Sequence, residues 1–434
     1  MVIQTREIFE KQLMDRDSLV LSDGTRLDQL VDLRRREVKN RVFNDPELHL
    51  KELERIWAQC WIPICHETDL PDAGDFKRGY IGEDHVLLTR ANDGSVNLFL
   101  NVCSHRSMEV CWSDEGNAST FKCPYHGWLF DGRGRLLGAP FEKQMYGEWD
   151  RSEYGLRLAR VATRHGLIFG NFDDEAPSFE DYLGEAAWYH DAMYAGVEWE
   201  TLGPPNRLTF DANWKTMVDQ FAGDGYHGST LHAALSELGM GDNNGIVNNF
   251  VKVSFPGLGH ALLAFAPNRT DDTGHNSMLE EESPNSFAGR MLATLIFPNS
   301  NNFGGGPTMT GTDGSELRIA MMGAVVPRGP GRLQMWNTLL VSKDMPEETR
   351  SMLRKVNVIQ SIGAAPDDAV AGASMQRAAV GAVGQEQTLK YNAIRGYAKP
   401  KGWPGPGFVC GGFPRDDSHW HFWQRWFERL TDEQ

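Results

Sequence analysis

The chain has 434 residues, 41% hydrophobic and 24% charged, with a formal net charge of −16. That mixture excludes a disordered chain, a collagen-like array and a low-complexity polymer, and the acidic balance argues against a nucleic-acid partner. No stretch approaches the roughly 18 apolar residues that span a bilayer, and the charged opening MVIQTREIFEKQLMDRD has no apolar signal core. The expected setting is cytoplasmic, without a membrane partner. Six cysteines, at 60, 65, 103, 111, 123 and 410, are too few for a disulfide scaffold in a chain long enough to bury its own core. In a reducing compartment, closely spaced Cys and His are candidate metal ligands.

Residues 25–40 and 45–59 read as amphipathic helices, with Asp45-Pro46 as N-cap and first position of the second. From about residue 60 the hydrophobic period drops to two. The segments 79–102 and 157–172 read as short strands, the first folded about the turn Asn92-Asp93-Gly94. Residues 173–180 read as a connection. Beyond them, Asn213 to Leu235 reads as one helix interrupted at Gly223 and Gly225, and residues 266–287 as a polar surface loop. MMGAVVP and LQMWNTLLV read as buried strands, and Glu347 to Ala379 as interrupted helix. In the last helix, Trp420, Trp423, Trp426, Phe427 and Leu430 share one packing face, leaving His419 and His421 as expected surface residues. The expected fold class is α+β. It comprises an N-terminal helical segment (1–59), an antiparallel β domain (60–172) and a larger domain with an antiparallel sheet covered by helices (173–434), helix-grip-like in form.

Two constellations carry chemistry. The first is Cys103-Ser-His105, a gap of seventeen residues, then Cys123-Pro-Tyr-His126. Two thiolates and two imidazoles from two turns suit either a structural Cys₂His₂ zinc site or a [2Fe–2S] cluster with Cys on one iron and His on the other. The interleaved order favours the cluster, because each loop then supplies one ligand to each iron. The second is Asp224-Gly-Tyr-His227-Gly-Ser-Thr-Leu-His232. Histidines five apart lie about 140° apart on an ideal helix, so only a break would let them converge. With one distant carboxylate, Asp367 or Asp368, they would make the two-His, one-carboxylate triad of non-haem Fe(II) oxygenases.

CSHRSM and CPYHGW resemble the two loops of the Rieske proteins. DGYHGSTLH, with NWK before it and Asp368 followed by a small-residue helix ending in Met-Gln-Arg, resembles the alpha subunits of Rieske non-haem iron aromatic-ring-hydroxylating dioxygenases. The resemblance implies a [2Fe–2S] cluster on Cys103, His105, Cys123 and His126, and a mononuclear Fe(II) on His227, His232 and Asp368, with Asp367 the fallback. It implies no bracing disulfide, since Met108 and Tyr125 stand at the cysteine positions of the respiratory branch. It further implies that Asp224 bridges a cluster histidine (His126 by position) of a neighbouring subunit to an iron-ligating His of its own. Met217, Gln220 and Phe221 would line the substrate pocket, with His260 near it. Gln220 departs from the asparagine of many relatives. The implied activity is cis-dihydroxylation of an aromatic compound with O₂ and NAD(P)H-derived electrons through a ferredoxin or reductase, in a homotrimer or an α3β3 assembly. The runner-up is a Rieske monooxygenase that hydroxylates or O-demethylates an aromatic acid; a pure electron carrier would leave the second motif without a role. Arg106, Arg133 and Arg135 are candidates for docking an acidic ferredoxin.

Overall fold

The structure is a computed structural model that describes residues 13–14, 18–233, 250–265, 291–305, 309–310, 316–363, 365–395, 403–411 and 415–432. The chain divides into two compact units, residues 57–176 and residues 1–56 together with 177–434. The expected loop at 266–287 lies outside the described residues.

The 57–176 unit is built on a seven-stranded antiparallel sheet. Its spatial order is Ile62–His66, Leu167–Asn171, Leu158–Arg164, Val96–Leu100, Asp84–Arg90, Asp75–Ile81 and Glu115–Asn117. A three-stranded sheet, Thr120–Lys122, Leu129–Asp131 and Leu136–Gly138, stands beside it. Phe76, Leu87, Phe99, Phe121 and Phe130 form a buried cluster that includes Cys103 and Cys123. The two cysteines therefore sit at the edge of an apolar core, and the loops that carry them are pinned by it.

The second unit holds a nine-stranded antiparallel sheet. From Trp199–Thr201 it runs through Leu333–Ser342, Ile319–Pro327, Ser300–Gly305, Met291–Ile296, Ala261–Phe265 and Phe250–Ser254 to Phe408–Gly411, and Asn206–Phe210 also pairs with Leu333–Ser342. Among the described residues, five helices of eight residues or more accompany it: Ala187–Tyr194, Trp214–Phe221, Glu347–Gly363, Ala365–Val380 and Asp417–Thr431. The molecule is thus α+β, with an antiparallel sheet in each unit.

Several expectations change. Residues 25–40 are not one helix: a single turn, Leu27–Leu30, leads into a hairpin of Val31–Asp32 with Glu37–Lys39, and Thr388–Lys390 adds a third strand. The late strand supplies backbone partners that no local pattern reveals, which outweighs helix propensity. Asp45 does cap Pro46–Glu52, accepting from the N–H groups of Glu47 and Leu48, but the α-helix then loosens into a π-turn over Leu53–Trp57. The helix expected from Asn213 spans only Trp214–Phe221. His419 and His421 are buried, not superficial: His421 shares a 2.8 Å hydrogen bond with Ser254 Oγ, and His419 Nδ1 lies 2.8 Å from the Asp219 carbonyl oxygen.

One buried ion pair joins three distant segments. Glu52 and Lys215 are 0% and 1% exposed, with Lys215 Nζ donating to Glu52 Oε1 at 2.6 Å. The indole N–H groups of Trp214 and Trp426 donate to the same carboxylate at 2.7 and 2.8 Å. The carboxylate accepts three hydrogen bonds, so the cost of burying its charge is offset locally. Removing one partner leaves an uncompensated buried charge. Lys215→Met is therefore expected to destabilise the protein by roughly 3–5 kcal/mol, seen as a fall in thermal midpoint, and the double variant Glu52→Met/Lys215→Met to recover a substantial part.

Candidate metal centres

The two cysteine loops repeat one backbone design. Cys103 N–H bonds to Met108 O at 2.8 Å and Ser107 N–H to Cys103 O at 3.0 Å; Cys123 N–H bonds to Trp128 O at 2.8 Å and Gly127 N–H to Cys123 O at 3.0 Å. Ser107 and Gly127 occupy the same place in their loops, and both have positive φ, 56° and 73°. Each loop thus closes on its own cysteine and presents the next histidine outward. The rings of His105 and His126 meet edge-on with centroids 4.6 Å apart, and Trp128 stacks on His105 at 4.8 Å.

This donor set fits a metal–sulfide group. Both cysteines are buried, and the Cys103 thiol is pushed up to about 11, first by burial and further by the Cys123 thiol beside it. Two adjacent buried thiolates need cations to become stable. The buried Nδ1 of His105 has no hydrogen-bond partner, as expected of a ligand atom. All six cysteines are free. Arg106 is exposed, while Arg133 pairs with Asp93 and Arg135 with Asp131.

The second constellation also assembles. His227, His232 and Asp368 form a group whose ligand atoms all lie within 4.8 Å of one another. Asp368 Oδ1 is 3.9 Å from His227 Nε2 and 3.4 Å from His232 Nε2, whereas Asp367 faces the other nitrogen of His232 at 3.5 Å. Carboxylate contact raises the His232 pKa, through the Asp368 hydrogen bond first. Two imidazole nitrogens converging on one carboxylate oxygen is a fitting donor set for Fe(II), and it leaves positions on the metal for other ligands. The Gln220 amide donates to Asp368 Oδ1 at 2.8 Å and lies 3.1 Å from His227 Nε2, so it touches the ligands themselves.

Local chemistry explains the convergence. Asn213 caps the Trp214–Phe221 helix by accepting from Lys215 N–H, and its own N–H donates to Gln376 Oε1 at 2.8 Å. Gln376, of the Met-Gln-Arg segment, thereby ties the helix bearing Asp368 to the helix before Asp224. Gly372 lets the two approach: a Cβ there would meet Ala212 Cβ at 3.2 Å and Met217 Sδ at 3.6 Å. Met217 is buried at this contact, and Phe221 meets Phe303 edge-on at 6.1 Å. The helix ends at Gly223, with φ 122°, a conformation that disfavours any side chain. The chain then turns so that Asp224 Oδ1 accepts from Tyr226 N–H at 2.9 Å, while Asp224 Oδ2 lies 3.2 Å from His227 Nδ1. Burial pushes the Asp224 carboxyl up, but the His227 hydrogen bond and nearby positive charge outweigh this and hold it well below the usual range. Asp224 thus stands beside His227 Nδ1, and Nε2 is turned toward Asp368. His260 is elsewhere engaged: Nδ1 accepts from Phe297 N–H at 3.0 Å, and Nε2 bonds to Tyr182 O at 2.8 Å.

Sequence reasoning missed the wall beside Asp224. A cavity of about 600 Å³ is bordered by Asp224, Tyr226, Lys252, Tyr391, Asp416 and His419. Apart from Asp224 itself, only Lys252 of these carries a local signal, a lone charge amid the alternating apolar strand FVKVS.

Residues 60–158 match the family described as "Rieske [2Fe-2S] domain", and residues 179–432 that described as "Ring hydroxylating alpha subunit (catalytic domain)". The chain is 34% identical over 348 residues to the biphenyl 2,3-dioxygenase subunit alpha of Rhodococcus jostii, covering 75% of this chain and 74% of that protein. It is 41% identical over 216 residues to the large oxygenase component of the naphthalene 1,2-dioxygenase system of Pseudomonas aeruginosa, covering 49% and 48%. Its fold matches the crystal structure of naphthalene 1,2-dioxygenase from Rhodococcus sp. bound to indole, with a TM-score of 0.80, 28% identity and 99% of both chains covered.

Gly223→Ala is expected to cost about 1–3 kcal/mol, because its Cβ would also press Ser418 Oγ at 3.1 Å. Gly228→Ala, with nothing within 4 Å of the added carbon, should cost far less. Thermal unfolding of the two variants makes the comparison.

Proposed function

The chain belongs to the Rieske-type ring-hydroxylating oxygenase alpha subunits, and on that premise we propose that Cys103, His105, Cys123 and His126 hold the [2Fe–2S] cluster while His227, His232 and Asp368 hold the mononuclear Fe(II). The protein is the terminal oxygenase component. It uses O₂ and electrons from NAD(P)H, delivered by a reductase or ferredoxin, to cis-dihydroxylate an aromatic compound. The observation that carries the site assignment is the convergence of His227 and His232 on one oxygen of Asp368.

When bound, the two iron groups supply electron storage and O₂ activation. The chain supplies the rest. Asp224, with Oδ2 3.2 Å from His227 Nδ1, orients the ring so that Nε2 faces the site. Gln220 holds Asp368 and faces the ligands, which makes it the pocket residue nearest the chemistry. Phe221 and Phe303 offer an aromatic edge suited to a flat apolar substrate. Met217, buried between two helices, supports the pocket from behind.

Asp224 also borders an open cavity, and the neighbouring Tyr226 is 67% exposed. On the cluster side Tyr125, against His126, is 59% exposed. These faces suit contact between two copies, with the His126 edge of one meeting Asp224 of the next, in a homotrimer or an α3β3 assembly. Arg133 and Arg135 are already paired, so Arg106 is the remaining member of the proposed ferredoxin contact. No helix among the described residues is long and apolar enough to cross a membrane. The need for NAD(P)H and reduced cysteines supports a cytoplasmic setting.

With ¹⁸O₂, the product should carry both labelled atoms; a single labelled atom would instead identify the monooxygenase reading. His227→Ala should abolish product while keeping the Rieske absorption and EPR signal. Cys103→Ser should remove that signal, and a colourless native protein with stoichiometric zinc would refute the cluster assignment.

A further inference from the structure

Lys252 lies in the strand Phe250–Ser254 and is 4% exposed. Its side-chain Nζ donates to the Arg415 carbonyl oxygen. Asp219 on the Trp214–Phe221 helix, Asp224 on the turn after it and Asp416 before the last helix border the same cavity as Lys252, and their charges, with that of Asp417, act on its ammonium. Each has its own attachment. Asp219 accepts from Tyr391 Oη and Trp423 Nε1, both at 3.1 Å; Asp416 accepts from Ala393 N–H at 2.8 Å; Asp417 pairs with Arg415 at 2.7 Å and Arg36 at 3.6 Å. Asp224 leans on His227. His419 Nδ1 lies 3.5 Å from Asp219 Oδ1 and so shares this cluster, while Lys252 brings the side-chain ammonium that acts on all four carboxylates. Its stem is equally specific: a Cβ on Gly223 would lie 3.7 Å from both Cδ and Cε of Lys252. The methylenes pack on the backbone turn that delivers Asp224.

We infer that Lys252 is a positioning residue for Asp224: its stem braces the Gly223 turn, and its buried ammonium offsets the mutual repulsion that would otherwise push Asp224 out of place. The inference rests on the reading of Asp224 as the electron-transfer bridge, and it adds the group that keeps the bridge in position. Burial lowers the Lys252 pKa to about 8, the surrounding carboxylates limiting the fall. Besides the carboxylates, the other charged or titratable groups bordering the cavity are Tyr226, Lys390, Tyr391 and His419. The ammonium is therefore present at neutral pH and lost as pH rises through about 8, whereas an arginine there would keep its charge.

The test uses the cluster- and iron-loaded protein, reduced with dithionite and mixed with O₂ and naphthalene, biphenyl or chlorobenzene, whichever the native enzyme consumes fastest. Cluster reoxidation is followed by its visible absorbance. Lys252→Met keeps the stem and should slow reoxidation by about 10- to 100-fold, as loss of a group supporting a metal ligand does, with iron content and cluster spectrum unchanged. Lys252→Arg should restore most of the rate and carry it to higher pH than the native enzyme, whose rate should fall as pH rises through about 8. An unchanged rate in Lys252→Met, or an equal loss in Lys252→Arg, overturns the inference. A second measurement is the thermal-unfolding cycle of Lys252→Met with Asp224→Asn. Asp224→Asn should cost less in the Lys252→Met background than in the native one, and simple additivity of the two shifts overturns the coupling. If Asp224→Asn itself leaves reoxidation untouched, the bridge reading fails. If Asp224→Asn slows it and Lys252→Met does not, the bridge stands and Lys252 alone is rejected.

Discussion

A carboxylate with no access to water, Glu52, is the fixed point of the larger unit. Lys215, Trp214 and Trp426 all donate to it, so the early segment, the central helix and the last helix must meet at one place. The Trp214–Phe221 helix cannot slide without breaking a charged contact that is 0% exposed on one side and 1% on the other. That helix sets where Gln220 points and where the chain turns at Gly223. Everything aimed at the mononuclear site is downstream of this anchor. The catalytic ligands themselves are only half-buried, and they need a rigid frame because they contribute little packing of their own.

The two metal sites are organised by opposite means. At the cluster, two loops with the same internal hydrogen bonds are set on an apolar core, and the backbone alone fixes the ligands. At the iron site, the ligands come from a short turn and a helix more than a hundred residues apart, and side chains do the fixing: Asp224 on His227, Gln220 on Asp368, Gln376 on Asn213. A local, backbone-held centre tolerates change in its surroundings. A centre assembled from distant side chains depends on every contact that sets the spacing of its helices, including Gly372 against Met217.

That contrast explains what could be read from sequence. The four proposed cluster ligands stood out in the sequence because each loop is contiguous and its residue types are rare together. His227 and His232 were legible only by resemblance: helical geometry sets them about 140° apart, and it is the short 3₁₀ helix His227–Ser229 and the turn after it that bring them together. Asp368, with Asp367 as the fallback, also came from resemblance, and Asp368 Oδ1 is the oxygen that both imidazole Nε2 atoms approach. The strand nature of 31–39 was hidden because its third strand lies at 388–390, and Glu52 with Lys215 was hidden for the same reason. His419 and His421 were misjudged because a helix rich in tryptophan was assumed to have a wet face, whereas Asp219 and Ser254 meet those imidazoles from other segments.

The larger unit is discontinuous in the chain, with 57–176 inserted between its first 56 residues and the rest. During synthesis the inserted unit completes its own strands early, and its cysteines and histidines are all present before Lys215 is made. Glu52 must wait for both Lys215 and Trp426, nearly the whole length of the chain, before its charge is met. Closing so long a loop is slow relative to local strand pairing. The order of maturation is therefore written into the connectivity: an electron-storing module folds first, and the oxygen-handling module closes last, when the final helix arrives.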